Sequence, residues 1–143
     1  MLNVAMLSKW HVHADDYARR LQSHGNVKLT AVWDEQPERG SEWAARLGTD
    51  FEADLDTLLE REDIDGVVVD APTSMHADVM VAAAEAGKHI FTEKAMALTV
   101  QECDRISAAV RKAGVKFCIS FPARTRPHQL FAKQLIDDQV LGD

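Results

Sequence analysis

The sequence predicts an α/β domain built on a doubly wound parallel sheet, with helices on both faces. Three observations carry that prediction. Apolar, strand-like runs alternate with helix-like ones along nearly the whole chain. The connections are short, and glycines follow the helices as stops before the next strand. The run "GVVVDA" (66–71) is continuous and β-branched, as expected of a strand buried on both faces.

The elements follow in order. "LNVAML" (2–7) reads as a short buried strand, and 14–24 as a helix ending at Gly25. "VKLTAVW" (27–33) is a second strand, followed by a helix around 38–47 that stops at Gly48. "DLDTLLERE" (54–62) is a short helix with Leu55, Leu58 and Leu59 on one face. Pro72 ends the strand at 66–71, and Thr73 or Ser74 can cap a helix running to Ala86, with Gly87 as its stop. "KHIFTE" (88–93) is the next strand. Thr99 and Glu102 have capping-box spacing and start a helix that runs to Ala113 and stops at Gly114. "VKFCIS" (115–120) is a further strand and "PHQLFAKQLIDD" (127–138) a final helix.

A length of 143 residues suits one domain with a substantial core. The formal net charge of −7 argues against nucleic acid or an anionic membrane as partner. The densest acidic run, from Asp50 to Asp65, reads as a solvated face around a short helix and not as a metal site. Cys103 and Cys118 fit no metal or redox spacing, so a reducing, cytoplasmic setting is the default. Cys118, in an apolar run, reads as a small core residue. No apolar stretch approaches the roughly 18 residues of a membrane span. Met1 begins directly on a strand, which leaves no room for a signal peptide. Trp33 and Trp43 read as packing residues.

In a doubly wound sheet, ligands bind beyond the carboxyl ends of the strands, where the strand order switches. That directs attention to the loops 8–13, 34–36, 71–76, 93–98 and 121–126. Asp34 closes the second strand at about the 20-residue spacing where a dinucleotide fingerprint places its ribose-binding carboxylate. Such a carboxylate accepts from ribose hydroxyls and repels a 2′-phosphate. Glu35 adds negative charge and no arginine follows until Arg39, so NAD is favoured over NADP. The glycines of that fingerprint are absent: no glycine precedes Gly25. His11 and His13 lie two residues apart without a nearby cysteine, so no metal site is expected. Ser8 lacks the Gly-x-Ser-x-Gly context of a hydrolase nucleophile.

The segment "DAPTSMHADVMVAAAEAGKHIFTEKAMALT" (70–99) resembles the Gfo/Idh/MocA family of oxidoreductases (glucose–fructose oxidoreductase, inositol dehydrogenase, rhizopine catabolism). The family's pattern is a strand, a Pro-x-x-x-His turn, an alanine-rich helix, Gly-Lys-His, and a strand ending in Glu-Lys-Pro. Pro72 and His76 match the turn, Gly87, Lys88 and His89 the middle, and Glu93, Lys94 and Ala95 the end. The resemblance implies a Rossmann-like NAD(P)-binding domain over 1–122. A linking helix and the start of a C-terminal substrate domain would occupy 123–143, with the rest of that second domain absent from this chain. It implies hydride transfer between nicotinamide and a sugar, inositol or related polyol. Lys94 would be catalytic, stabilising oxyanion character as a hydroxyl becomes a carbonyl, with Glu93 positioning the lysine and the ribose. Ala71, Pro72, Thr73 and His76 would line the cofactor. Arg124, with Arg126 as the rival assignment, would match the family's cofactor-proximal arginine. Ala95 departs from the usual proline. A non-proline residue disfavours a cis bond by roughly 2.5–4 kcal/mol, so a trans bond is expected there.

Setting 4–7 on the family's first strand puts Ser8, Lys9 and Trp10 at the glycine positions, and His13-Ala14 at the start of the first helix. Ser8 would donate a hydroxyl and Lys9 neutralise phosphate, while Trp10 is bulky where a glycine lets the cofactor approach. The family's Asp-x-x-x-His pair, whose histidine acts as general acid/base, has no counterpart after Lys94. The chain alone is therefore expected to be inactive, and to self-associate through surfaces that would meet a second domain. The alternative is a Rossmann-like binding or scaffold module with lost or weak dinucleotide affinity. A nucleic-acid regulator is disfavoured by the acidic balance.

Overall fold

A computed structural model describes residues 1–140 and Gly142. Leu141 and Asp143, at the end of the expected linking segment, lie outside the described residues. At the centre of the sheet, β1 (Leu2–Leu7) pairs in parallel with β2 (Val27–Trp33) on one side and β4 (Gly66–Val69) on the other. Beyond β2 lies β3 (Asp50–Phe51), and beyond β4 lie β5 (His89–Glu93) and β6 (Phe117–Ser120). All six strands are parallel in the order β3-β2-β1-β4-β5-β6, so the switch in order falls between β1 and β4.

Strand alternation sorts the core onto two faces. On one, Leu7, Val67, Val69 and Ile90 meet α3 (Leu55–Glu60), α4 (His76–Glu85) and α5 (Val100–Ala113) through Leu58, Met80 and Ile106. On the other, Met6, Val32 and Val68 meet α1 (Ala14–Ser23) and α2 (Pro37–Leu47) through Ala18 and Trp43. The final helix, α6 (Pro127–Asp137), buries no residue. Trp33 and Trp43 are both buried, and the Trp43 indole donates to Asp15 at 2.8 Å.

The local signals act where they stand. Thr99 and Glu102 form the full capping box of α5, and the helix ends on Gly114 at φ 70°. Gly40 lets α2 approach β2 closely. A Cβ there would fall 2.5 Å from the Asp34 Cβ and 2.6 Å from the Phe51 ring. At the amino end of the sheet, the buried Lys88 ammonium donates to the carbonyls of Arg61 at 2.6 Å and Ile64 at 2.9 Å.

Four expectations need correction. Residues 50–51 form a strand inside the acidic run, since Asp50 and Phe51 pair with Ala31 and Val32 at the sheet edge. Thr73 and Ser74 do not cap a helix. Thr73–Met75 form a 3-10 turn and α4 starts at His76, whose ring turns inward to backbone carbonyls. Cys118 is exposed. No described helix covers its face of β6, where Tyr17, Leu21, Val68, Phe91 and Cys118 line an apolar groove of about 390 Å³. Finally, the Lys94–Ala95 peptide bond is cis. Glu93 before it is held by Tyr17, and the Met96 carbonyl after it by His76, so contacts on both sides set the path of the chain.

Candidate functional site

The carboxyl ends of β1, β2, β4 and β5 bring the loops after them to one edge of the sheet. Parallel pairing dictates this, because every strand points the same way. Ser8 follows β1 at φ 78°, a left-handed conformation that favours glycine, and it is fully buried. It therefore occupies a turn of the kind the first fingerprint glycine provides. Its amide donates to the Trp33 carbonyl at 2.7 Å, and its hydroxyl accepts from the Trp10 amide at 3.0 Å. The Lys9 ammonium pairs with Asp15 at 3.2 Å, near the Trp43 ring. Trp10 is half-exposed. The His11 and His13 rings lie 5.1 Å apart. Among the described residues, no group of three or more His, Cys, Asp or Glu could hold a metal ion.

Asp34 directly follows β2, with its carboxylate wholly buried and well supplied with donors. Oδ2 accepts from the Lys9 amide at 2.8 Å, and Oδ1 from the Gln36 amide at 2.8 Å and from Arg39 Nη2 at 2.7 Å. Arg39 Nε adds a bond of 3.0 Å to Oδ2, making the contact bidentate. The same guanidinium reaches Glu35 at 2.6 Å. Those two carboxylates, ahead of burial that opposes it, hold the Arg39 guanidinium above its usual range, with the hydrogen bond to Asp34 the largest cause. Arg39 thus closes the end of β2, a role its spacing alone did not suggest.

After β4, Ala71 is buried while Pro72 and Thr73 are partly exposed. His76 is buried, with Nε2 3.0 Å from the Ala71 carbonyl and Nδ1 3.2 Å from the Met96 carbonyl. The ring joins the loop after β4 to the loop after β5. A neutral imidazole donates to one of these carbonyls, and its tautomer sets which.

Glu93 ends β5, also buried. The Tyr17 hydroxyl, from α1, donates to Glu93 and accepts from the Ser120 hydroxyl at 3.0 Å. On the other side the Glu93 carboxylate lies 3.4 Å from the Lys94 ammonium, whose side chain is 52% exposed. Burial opposes the charge on Glu93. The Tyr17 hydrogen bond and Lys94 outweigh it and bring the carboxyl below its ordinary value. Tyr17 is pushed up to about 12 by burial and by Glu93. Arg124 is exposed in the turn after β6, with its guanidinium 5.7 Å from the Phe121 ring.

Sequence reasoning missed Tyr17, Ser120 and the role of Asp70. Asp70 is buried after β4, and neither carboxyl oxygen has a hydrogen-bond partner among the described residues. Burial first, and Glu93 second, push it up to about 7. Its signal in the sequence was an acidic residue closing the β-branched run 66–69.

These groups suit a dinucleotide. There is a tight turn at Ser8, carboxylates at the end of β2, and an exposed ammonium braced by a buried carboxylate at the end of β5. Comparison with known proteins agrees. Residues 9–121 match the model of the Gfo/Idh/MocA group, described as an oxidoreductase family with an NAD-binding Rossmann fold. The chain is 35% identical over 127 residues to 2,7-anhydro-N-acetylneuraminate hydratase of Mediterraneibacter gnavus, covering 89% of this chain and 33% of that protein. It is 36% identical over 117 residues to scyllo-inositol 2-dehydrogenase (NAD(+)) of Bacillus subtilis, covering 81% of this chain and 34% of that protein. The crystal structure of scyllo-inositol dehydrogenase from Lactobacillus casei, with bound NAD(H) and scyllo-inositol, superimposes with a TM-score of 0.84. It is 25% identical to this chain, covering all of it and 43% of that chain. The chain thus spans about a third of the length of the curated relatives it matches.

Proposed function

From the premise that this chain belongs to the Gfo/Idh/MocA oxidoreductase family and carries its NAD-binding Rossmann fold, we propose that it is the cofactor-holding part of an NAD-dependent dehydrogenase. The substrate class is a sugar, inositol or related polyol, in keeping with the dehydrogenase relatives. Bound nicotinamide would accept or return a hydride at C4. The observation that carries the proposal is the Lys94 ammonium, half-exposed beyond the sheet and braced at 3.4 Å by the buried Glu93 carboxylate. An ammonium held there stabilises a substrate oxygen as it gains negative character. Tyr17 fixes Glu93, and Glu93 fixes the direction of Lys94.

Ser8, Lys9 and Trp10 would form the turn beneath the diphosphate, helped by the positive end of α1. Ala71, Pro72 and Thr73 would lie along the nicotinamide ribose. His76 would act through the two loops it joins, since both ring nitrogens face carbonyls. Asp34 and Glu35 would face the adenosine ribose and disfavour a 2′-phosphate, since Arg39 is already engaged by both carboxylates. Arg124 would reach the cofactor from the turn after β6.

One observation favours the rival reading of a module with weak affinity: Asp34 is already filled by Arg39 and two amides, and Lys9 by Asp15. Calorimetric titration separates the two. NAD is expected to bind more tightly than NADP, and Lys94→Met to weaken NAD while the chain keeps its folded circular dichroism spectrum. Failure of both dinucleotides to bind at about millimolar concentration, where a binding free energy is only about −4 kcal/mol, would defeat the dehydrogenase reading.

Self-association is proposed on separate grounds. Leu130, Phe131 and Ile136 on α6 are exposed, and the groove beside β6 is largely apolar, with Arg20, Lys116 and Asp65 among the charged residues that line it. Asp138 at the end of α6 is of opposite charge to Arg20 and Lys116, while Asp137 is held by Lys133 at 2.6 Å, so a second copy's α6 would pack along the groove. Light scattering should return a dimer, and Phe131→Glu a monomer. No described helix is long and apolar enough to cross a membrane. The free Cys103 and Cys118 are consistent with the cytoplasm.

A further inference from the structure

We propose that Asp70 sets which oxidation state of the dinucleotide the domain holds more tightly, an inference that rests on the dinucleotide reading above. Two residues beyond Val68, Asp70 shares that residue's face of the sheet, towards α1. Its backbone is locked. The amide donates to the Leu7 carbonyl at 2.9 Å, and the carbonyl accepts from the His11 amide at 3.1 Å. The residue is 1% exposed and, among the described residues, neither carboxyl oxygen has a hydrogen-bond partner. A buried carboxyl without donors is costly when ionised, so it needs a reason beyond packing.

Titratable groups on several elements face Asp70. Tyr17 faces it from α1 and Glu93 from β5, and Lys94 lies beyond Glu93. From the first loop comes His11, which burial lowers despite the opposing pull of Glu93, with His76 at the start of α4 beyond it. Glu93 is kept ionised by Tyr17 and Lys94. Asp70, pushed up to about 7, changes charge across neutral pH. The Glu93–Asp70 pair therefore alternates between one negative charge and two.

The nicotinamide ring is cationic when oxidised and neutral when reduced, while the rest of the dinucleotide is the same in both. With Lys94 beside the nicotinamide as proposed above, a second negative charge next to its partner Glu93 favours the oxidised form. The ratio of the two affinities cancels what the phosphates, the ribose and the turn at Ser8 contribute. Between about pH 6 and about pH 8 that ratio should move towards NAD⁺ by about three- to tenfold, the size of one added charge screened near a protein surface.

The test measures dissociation constants of NAD⁺ and NADH for the chain at both pH values. The proteins are the wild type, Asp70→Asn, Asp70→Ser and His11→Gln, with folding of each checked by circular dichroism. The wild type and His11→Gln are expected to show the shift, and both Asp70 variants a ratio independent of pH. The proposal is overturned by a wild-type ratio that does not move, or by a shift that survives at Asp70→Asn and Asp70→Ser. A shift lost at His11→Gln but kept in the Asp70 variants would reassign it to the imidazole. If neither dinucleotide binds any variant at either pH, the dinucleotide reading falls, and this inference with it.

Discussion

Removing the Arg39 guanidinium should be among the more damaging single changes near the sheet's carboxyl edge. Arg39→Ala leaves the wholly buried Asp34 carboxylate with only the Lys9 and Gln36 amides, and beside it Glu35, which loses its 2.6 Å partner. Breaking a buried ion pair by deleting one partner typically costs about 3–5 kcal/mol. Two considerations reduce that figure here. Arg39 itself is 28% exposed, so water already screens part of the attraction. The two amides, at 2.8 Å each, also continue to stabilise the charge. About 2–3 kcal/mol remains, which for a domain of this size lowers the melting temperature by roughly 6–12 °C. Arg39→Lys, which keeps the charge but loses the planar fork, should recover about half of the loss. Thermal unfolding followed by circular dichroism at neutral pH measures both. An Arg39→Ala melt within about 2 °C of wild type would refute the account, because it would mean the pair adds only what a surface contact adds.

Two further outcomes follow from the same edge of the sheet. Between its ordinary value of 3.8 and its folded value of about 7, Asp70 keeps a proton in the folded chain that the unfolded chain has released. Stability should therefore fall as pH rises through that window and level off above it, by as much as about 4 kcal/mol. Urea unfolding at several pH values should show this slope flattened in Asp70→Asn. Tyr17→Phe removes the donor that holds Glu93, at a cost of about 1–3 kcal/mol near neutral pH. Because Glu93 is lowered in the folded chain, its stabilisation is present above its ordinary value of 4.5 and lost as pH falls through the folded value. The gap in melting temperature between wild type and Tyr17→Phe should accordingly narrow in acid.

What the sequence made legible was what is decided locally. The stop at Gly114 and the capping box of Thr99 and Glu102 lie within a turn of the helix end they define. The alternation of short runs was enough to give the sheet, and the motif from Pro72 to Lys94 gave the family. Asp50–Phe51 escaped because two residues carry no periodicity, and only pairing with Ala31 and Val32 makes them a strand. Cys118 was misread because its apolar run says nothing about whether a helix covers it. Tyr17 and Glu93 are 76 residues apart in sequence, and their contact exists only once α1 lies across β5. Arg39 was weighed as a charge at a spacing, when its effect depends on the carboxylates it folds back onto.

Lys88 offers a way to watch this domain open. Its ammonium is capped by two carbonyls at the sheet's amino end, far in construction from the exposed Lys94. An amine-directed reagent should reach the half-exposed Lys94 in the folded molecule without any opening of the sheet. Lys88 becomes available only when the segment from Arg61 to Ile64 separates from β5. The two lysines form an internal pair, one reporting reagent strength and the other the frequency of opening. Peptide mass spectrometry over a time course would turn their ratio into a clock for the rarest motions of the sheet.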